Sequence, residues 1–185
     1  MMTRSSALDI RSHRFQSNER LLVDASVWLR IYGPLTPDRA SYSKAYSNAH
    51  HKMRMADCAI FMDIIVLSEF INAFARMEFR QGPQAASNFK TFRKSVAFEP
   101  IAKEIAINAK RIVTQCQCVE SGFEDVDASA LLTDFQSGQH DFNDQVIAEL
   151  CRAKGLKLVT HDADFQKYGL TVLTANGELL SACQS

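Results

Sequence analysis

Acidic residues stand at the ends of short apolar runs all along this chain. Asp24 closes Leu21-Leu22-Val23, Glu69 follows Val66-Leu67-Ser68, Asp144 follows Phe142-Asn143, and Asp162 and Asp164 follow Leu158-Val159-Thr160-His161. A carboxylate at a strand tip, or in the first turns of a buried helix, projects into whatever pocket those ends share. Crowding several carboxylates in one partly buried place costs free energy through desolvation and mutual repulsion, and a divalent cation removes that cost. The chemistry expected of such a set is metal-dependent hydrolysis of a phosphodiester.

Positioning it requires strands and helices in alternation, and the pattern of the chain supplies them. Leu21 to Asp24 reads as a first, central strand, with Ala25-Ser26 as the turn after it. A polar helix from about Arg39 to Met55 follows, then a strand over Ala59 to Met62. Asp63 is placed to cap a helix from Ile64 to Phe79, whose Leu67, Ile71 and Phe74 recur near helical spacing. Ala85 to Lys94 reads as a helix, Val96 to Phe98 as a third strand, and Pro100 to about Cys116 as a helix. Ala128 to Gln136 is helical, and Asp141 or Asn143 can cap a helix from Asp144 to Lys154 that ends at Gly155. Leu156 to Thr160 is a buried strand, Thr171 to Thr174 the last strand, and Gly177 to Ala182 a short tail. Strands separated by helices imply a mostly parallel sheet covered on both faces, with ligands gathering at the carboxyl ends of the strands, where Asp24 and Asp162 fall.

A chain of 185 residues, 46% hydrophobic and without a Pro-, Gly- or Ser-rich divider, reads as one domain over 21–185 preceded by an N-terminal extension over 1–20. No apolar run reaches the roughly 20 residues that a bilayer span needs, and the polar, arginine-bearing N-terminus lacks a leader's apolar stretch, so a cytoplasmic location is expected. The five cysteines include no CxxC pair and are expected as reduced thiols; Cys116-Gln117-Cys118 is too closely spaced for a structural zinc site. His50 and His51 lie in a polar segment and read as solvated. The formal net charge of zero hides an asymmetry: residues 1–115 carry 17 Lys and Arg against 10 Asp and Glu, while 116–185 carry 4 against 11. An acidic half that builds a metal site and a basic half that offers a phosphate groove would follow from one function, with Arg76, Arg80, Lys90, Arg93 and Lys94 as weak candidates for phosphate contacts.

Four segments, Val23-Asp24-Ala25-Ser26-Val27, Val66-Leu67-Ser68-Glu69-Phe70, Asn143-Asp144-Gln145-Val146-Ile147-Ala148 and Leu158-Val159-Thr160-His161-Asp162-Ala163-Asp164-Phe165, resemble in order and spacing the motifs of PIN-domain ribonucleases. They are most like the VapC-type toxins of bacterial toxin–antitoxin pairs. The resemblance covers about Leu21 to Val172. It implies a three-layer α/β/α sandwich and Mg²⁺- or Mn²⁺-dependent endonucleolytic cleavage of RNA. It places Asp24, Glu69, Asp144 and Asp162 at the catalytic positions, with Asp24, Asp144 and Asp162 toward the metal and Glu69 acting through water. Ser26 matches a small polar residue that supports the site and Asp164 an auxiliary acid, while Asp141 stands as the alternative to Asp144. The resemblance further implies a cognate antitoxin and a homodimer. The chain departs from the shorter toxins in its N-terminal extension and in the segment between Gly33 and Asp57.

Plain roles compete for single residues. Asp63 reads as a helix cap, Asp144 can serve as one, and Glu69 can pair with Arg76 or Arg93, whereas Asp24 at the end of a buried strand has no capping duty. Trp28 and the phenylalanines read as core rather than as base-stacking platforms. Two other classes are weighed against the nuclease. A catalytically inactive scaffold of the same fold would bind RNA or a protein partner without cutting. A haloacid-dehalogenase-like hydrolase fits poorly, since Ser26 stands where its second aspartate belongs.

Overall fold

The computed structural model describes residues 4–34, 37–82, 88–122, 124, 126–138 and 140–184, the side chains of 37–39 and 184 excepted. Six strands, β1 (Ser6–Asp9), β2 (Arg20–Val23), β3 (Ala59–Met62), β4 (Gln117–Cys118), β5 (Lys157–Val159) and β6 (Thr171–Thr174), form one sheet in the order β1-β6-β5-β2-β3-β4. Every pairing is parallel. The expected mostly parallel sheet is therefore parallel throughout, the centre of an α/β/α sandwich. Leu21, Leu22, Val23, Leu158, Val159, Val172 and Leu173 are all essentially inaccessible, as a sheet with two covered faces demands.

The helices are α1 (Ala25–Tyr32), α2 (Pro37–Met55), α3 (Ile64–Gln81), α4 (Phe89–Phe92), α5 (Phe98–Val113), α6 (Ala128–Gln136), α7 (Phe142–Lys154) and α8 (Gly177–Gln184). Asp63 caps α3 by accepting from Ile65 N–H at 2.7 Å, and Gly155 ends α7 in the left-handed conformation at φ 61°. Val66, Phe70 and Phe74 bury one face of α3 completely. Burying each such side chain stabilises the fold by about 1.5–3 kcal/mol.

Several elements differ from the sequence expectation. Within residues 1–20, Ser6–Asp9 is an edge strand in register with Thr171–Thr174, and Ile10 beyond it is fully buried. Four residues with polar ends leave no apolar run to read. Val96 to Phe98 is not a strand: Phe98 opens α5 and Val96 is exposed, with no partner strand beside it. The strand between α5 and α6 is instead Gln117–Cys118, two exposed residues paired with Phe61 and Met62. Of the helix expected over 85–94, residues 85–87 lie outside the described residues and the rest is the single turn α4. The tail is α8, with Leu179 buried.

The largest revision concerns α2. It is polar in composition, yet Tyr42, Tyr46, Ala49, His50 and Met53 fall on one stripe at i, i+4, i+7, i+8 and i+11 and face the core. His50 is thus buried, its ring edge-on to Trp28 at 5.3 Å, while His51 is solvated as expected.

Candidate active site

The register of the two central strands sets the geometry. Val23 lies opposite Val159, and Asp24 N–H donates to Val159 C=O at 2.9 Å, so Asp24 comes to rest beside Thr160. Asp24 does have a capping duty, contrary to expectation, because α1 begins at the very next residue. Its Oδ2 accepts from Ser26 N–H at 3.4 Å, from Ser26 Oγ at 2.5 Å and from Thr160 Oγ1 at 2.8 Å. Each hydroxyl is used twice. Ser26 Oγ also accepts from His161 N–H, and Thr160 Oγ1 from Asp162 N–H, both at 3.0 Å. Two short side chains thereby lace the tip of β2 to the loop that carries Asp162.

Burial raises the Asp24 carboxyl above its ordinary pKa, and the two hydroxyl donors oppose that rise. Glu69, two turns into α3, is pushed up to about 7, chiefly by burial. The hydrogen bond from Asn143 Nδ2 to Glu69 Oε1, 2.7 Å long, works the other way, and the charges of Asp24, Asp141 and Asp162 add to the rise. Asp144 in the first turn of α7 is pushed up to about 8 by burial and then by Asp162, Asp141, Asp24 and Glu69. These groups sense one another's charge, as members of one site do. The plain alternatives fail here: Asp144 is not the cap of α7, and among the described residues none of these carboxylates forms an ion pair.

One open cleft of about 500 Å³ unites them, walled by Asp24, Ser26, Glu69, Asn72, Arg76, Asp141, Asn143, Asp144, Asp162 and Asp164, with Ala25, Leu29 and Ala73 between. Asp141 caps α7, accepting from Asn143 and Asp144 N–H at 2.9 and 3.4 Å, and Asp162 caps the 3₁₀ turn Ala163–Lys167 through Asp164 N–H. No described residue bonds to the Asp144 carboxylate. Arg76 alone of the five basic candidates reaches the wall, its guanidinium over the Phe89 ring at 4.9 Å. Arg93 lies over Phe89 and Phe98, and Arg80, Lys90 and Lys94 are exposed outside the cleft.

The donor set suits a hard divalent cation: six carboxylates line the cleft and offer oxygen donors, and among the described residues the one opposing charge in its wall is Arg76. In the side-chain arrangement shown, no three His, Cys, Asp or Glu among the described residues converge tightly enough to grip an ion together.

Thr160 and Asn143 were missed as functional residues. Both stand inside the acidic motifs, but nothing in their spacing says that one holds Asp24 and the other Glu69.

A family model described as PIN domain matches residues 21–170. Similar solved structures include the following two. The crystal structure of VapBC2 from Rickettsia felis, bound to a DNA fragment from their promoter, is 13% identical with a TM-score of 0.55, over 83% of this chain and 97% of that one. That of PAE2754 from Pyrobaculum aerophilum is 17% identical with a TM-score of 0.49, over 91% of this chain and 98% of that one. No curated protein matches the chain.

Proposed function

The chain belongs to the PIN domain family, and from that premise we propose that it is a metal-dependent endoribonuclease whose site is the carboxylate cleft. The observation that carries the reading is the gathering of six carboxylates in one cleft at the carboxyl end of the sheet, none of them spent on an ion pair among the described residues. Asp24, Asp144 and Asp162 would hold Mg²⁺ or Mn²⁺. When bound, the ion supplies an acidified water and neutralises charge growing on the phosphorane. Ser26 and Thr160 keep Asp24 in place. Glu69, oriented by Asn143 and titrating near neutrality, orients the attacking water and accepts its proton. Asp141 and Asp164 shape the rim and add negative charge. Arg76, stacked on Phe89, is placed to take a phosphate flanking the cut, with Arg80, Lys90, Arg93 and Lys94 as a weaker basic field beyond it.

The biological role we assign is that of the toxin in a toxin–antitoxin pair, acting as a homodimer in the cytoplasm and held in check by a cognate antitoxin. Sequence resemblance supports that role; among the described residues no helix is long and apolar enough to cross a membrane. One observation favours a second reading, an inactive scaffold that binds RNA or a protein partner: among the described residues no three carboxylates converge.

A titration with Mn²⁺ near pH 7.5, followed by electron paramagnetic resonance, separates the two. The nuclease binds Mn²⁺ at sub-millimolar concentration, and Asp144→Asn weakens binding by about tenfold or more. A wild-type protein that leaves Mn²⁺ free at several millimolar is a scaffold. Asn143→Ala should lower single-turnover RNA cleavage by about tenfold without changing the apparent affinity for RNA, because Glu69 loses its only described donor. Equal losses in both quantities would make Asn143 a substrate contact instead.

A further inference from the structure

The hydroxyl of Tyr46, on α2, lies 2.8 Å from His161 Nδ1, 3.0 Å from Ala175 N, 3.3 Å from Thr160 O and 3.4 Å from Thr174 Oγ1. The residue is 1% exposed. A phenol has one proton to give. Ala175 N–H can only donate to the oxygen, and the phenolic proton has Thr160 C=O and His161 Nδ1 as its acceptors, so the hydroxyl joins α2 to both segments whichever of the two takes the proton. His161 is then fixed from every side. Its N–H donates to Ser26 Oγ at 3.0 Å, its C=O accepts from Asn176 Nδ2 at 2.8 Å, and its ring meets Tyr42 and Tyr46 edge-on at 4.4 and 5.6 Å.

His161 stands between the two residues that complete the site. Thr160 binds Asp24, and Asp162 lines the cleft and donates its N–H to Thr160. We infer that Tyr46 is a positioning residue: its hydroxyl latches the loop Thr160-His161-Asp162 to the tip of β6, and so sets the separation of the Asp24 and Asp162 carboxylates. Helix α2 is by this account part of the active-site scaffold. The inference rests on the metal-dependent reading of the cleft for its consequence, though not for the existence of the latch.

Tyr46→Phe is the test, since it keeps the buried ring and removes only the hydroxyl, leaving Ala175 N–H and His161 Nδ1 without their partner. Met53→Ala, on the buried face of the same helix and remote from these bonds, serves as the control for lost stability. Two readouts apply: amide hydrogen exchange in the metal-free proteins, and Mn²⁺ affinity. Tyr46→Phe should speed exchange at His161, Asp162 and Ala175 by about tenfold relative to the β2 and β3 amides, and weaken Mn²⁺ by about five- to tenfold, with the affinity for RNA unchanged. Met53→Ala should leave the Mn²⁺ affinity within twofold of wild type. Unchanged exchange at those three amides overturns the latch. Faster exchange with unaltered Mn²⁺ affinity overturns its positioning role. A wild-type protein that binds no Mn²⁺ overturns the nuclease reading and the role with it, while the exchange rates still decide whether the latch exists.

Discussion

Asp24→Asn should give a protein at least as stable as wild type whose RNA cleavage is lower by about a thousandfold, a loss equivalent to about 4 kcal/mol of transition-state stabilisation. Asp24→Ala should lose cleavage and stability together. The difference follows from what the Oδ2 atom does. It caps α1 and accepts from two hydroxyls, and an asparagine carbonyl oxygen can do the same while removing a buried negative charge from a crowded site. Alanine abandons the cap, worth about 0.5–2 kcal/mol, and leaves Thr160, fully buried, without its acceptor, which costs about 1–3 kcal/mol. Thermal unfolding of the three proteins checks this. If the asparagine variant melts as low as the alanine variant, the ionised carboxylate is a structural requirement and the repulsion assigned to the cleft is absent.

The second large effect is on pH. Glu69 and Asp144 titrate in the folded protein at about 7 and about 8, against ordinary values of 4.5 and 3.8, so the folded state holds protons that the unfolded chain has released. Stability that such groups confer is fully present below their unfolded values and is lost as pH rises through the folded ones. His50 and His161 act oppositely. Burial lowers both to about 4 from 6.5, so their contribution is present above 6.5 and lost as pH falls toward 4. The two effects oppose each other between pH 4 and 6.5, and only the carboxyl effect remains above it. The stability of the metal-free protein should therefore vary little between about pH 4.5 and 6.5 and fall above that, by about 1–2 kcal/mol at pH 8.5, a figure discounted for solvent screening in the open cleft. Asp144→Asn should flatten that alkaline limb, and millimolar Mn²⁺ should restore the loss. Urea unfolding at a series of pH values measures it; a limb equally steep in Asp144→Asn would place the titrating group elsewhere.

The central strands and the acidic set were legible because they are written locally. Apolar runs such as Leu21-Leu22-Val23 and Leu158-Val159 can only be buried, and a carboxylate at the end of each has one rim to occupy. What escaped is what depends on neighbours. Ser6–Asp9 and Gln117–Cys118 are strands only because β6 and β3 offer them an edge. Val96 to Phe98 has strand-like residues but meets no edge. The inward stripe of α2 was hidden by the polar residues that surround it: Tyr46 and His50 each bury a ring while their heteroatoms face different fates. The role of Asp24 as a cap was missed because Ala25-Ser26 was read as a turn, where helix α1 already begins. Thr160 and Asn143 could be found only once strand register and helix position were known, since the groups they hold lie 136 and 74 residues away in sequence.

Cleavage of a mixed cellular RNA pool by the purified protein, with Mg²⁺, Mn²⁺ or EDTA and with Asp24→Asn alongside, tests the central claim most directly. The account predicts cutting with either ion, none in EDTA, and cutting slower by about a thousandfold with the variant. Cutting that survives EDTA, or that keeps the wild-type rate after the loss of the Asp24 charge, would contradict it, as would an intact RNA pool in the presence of protein shown to have bound Mn²⁺.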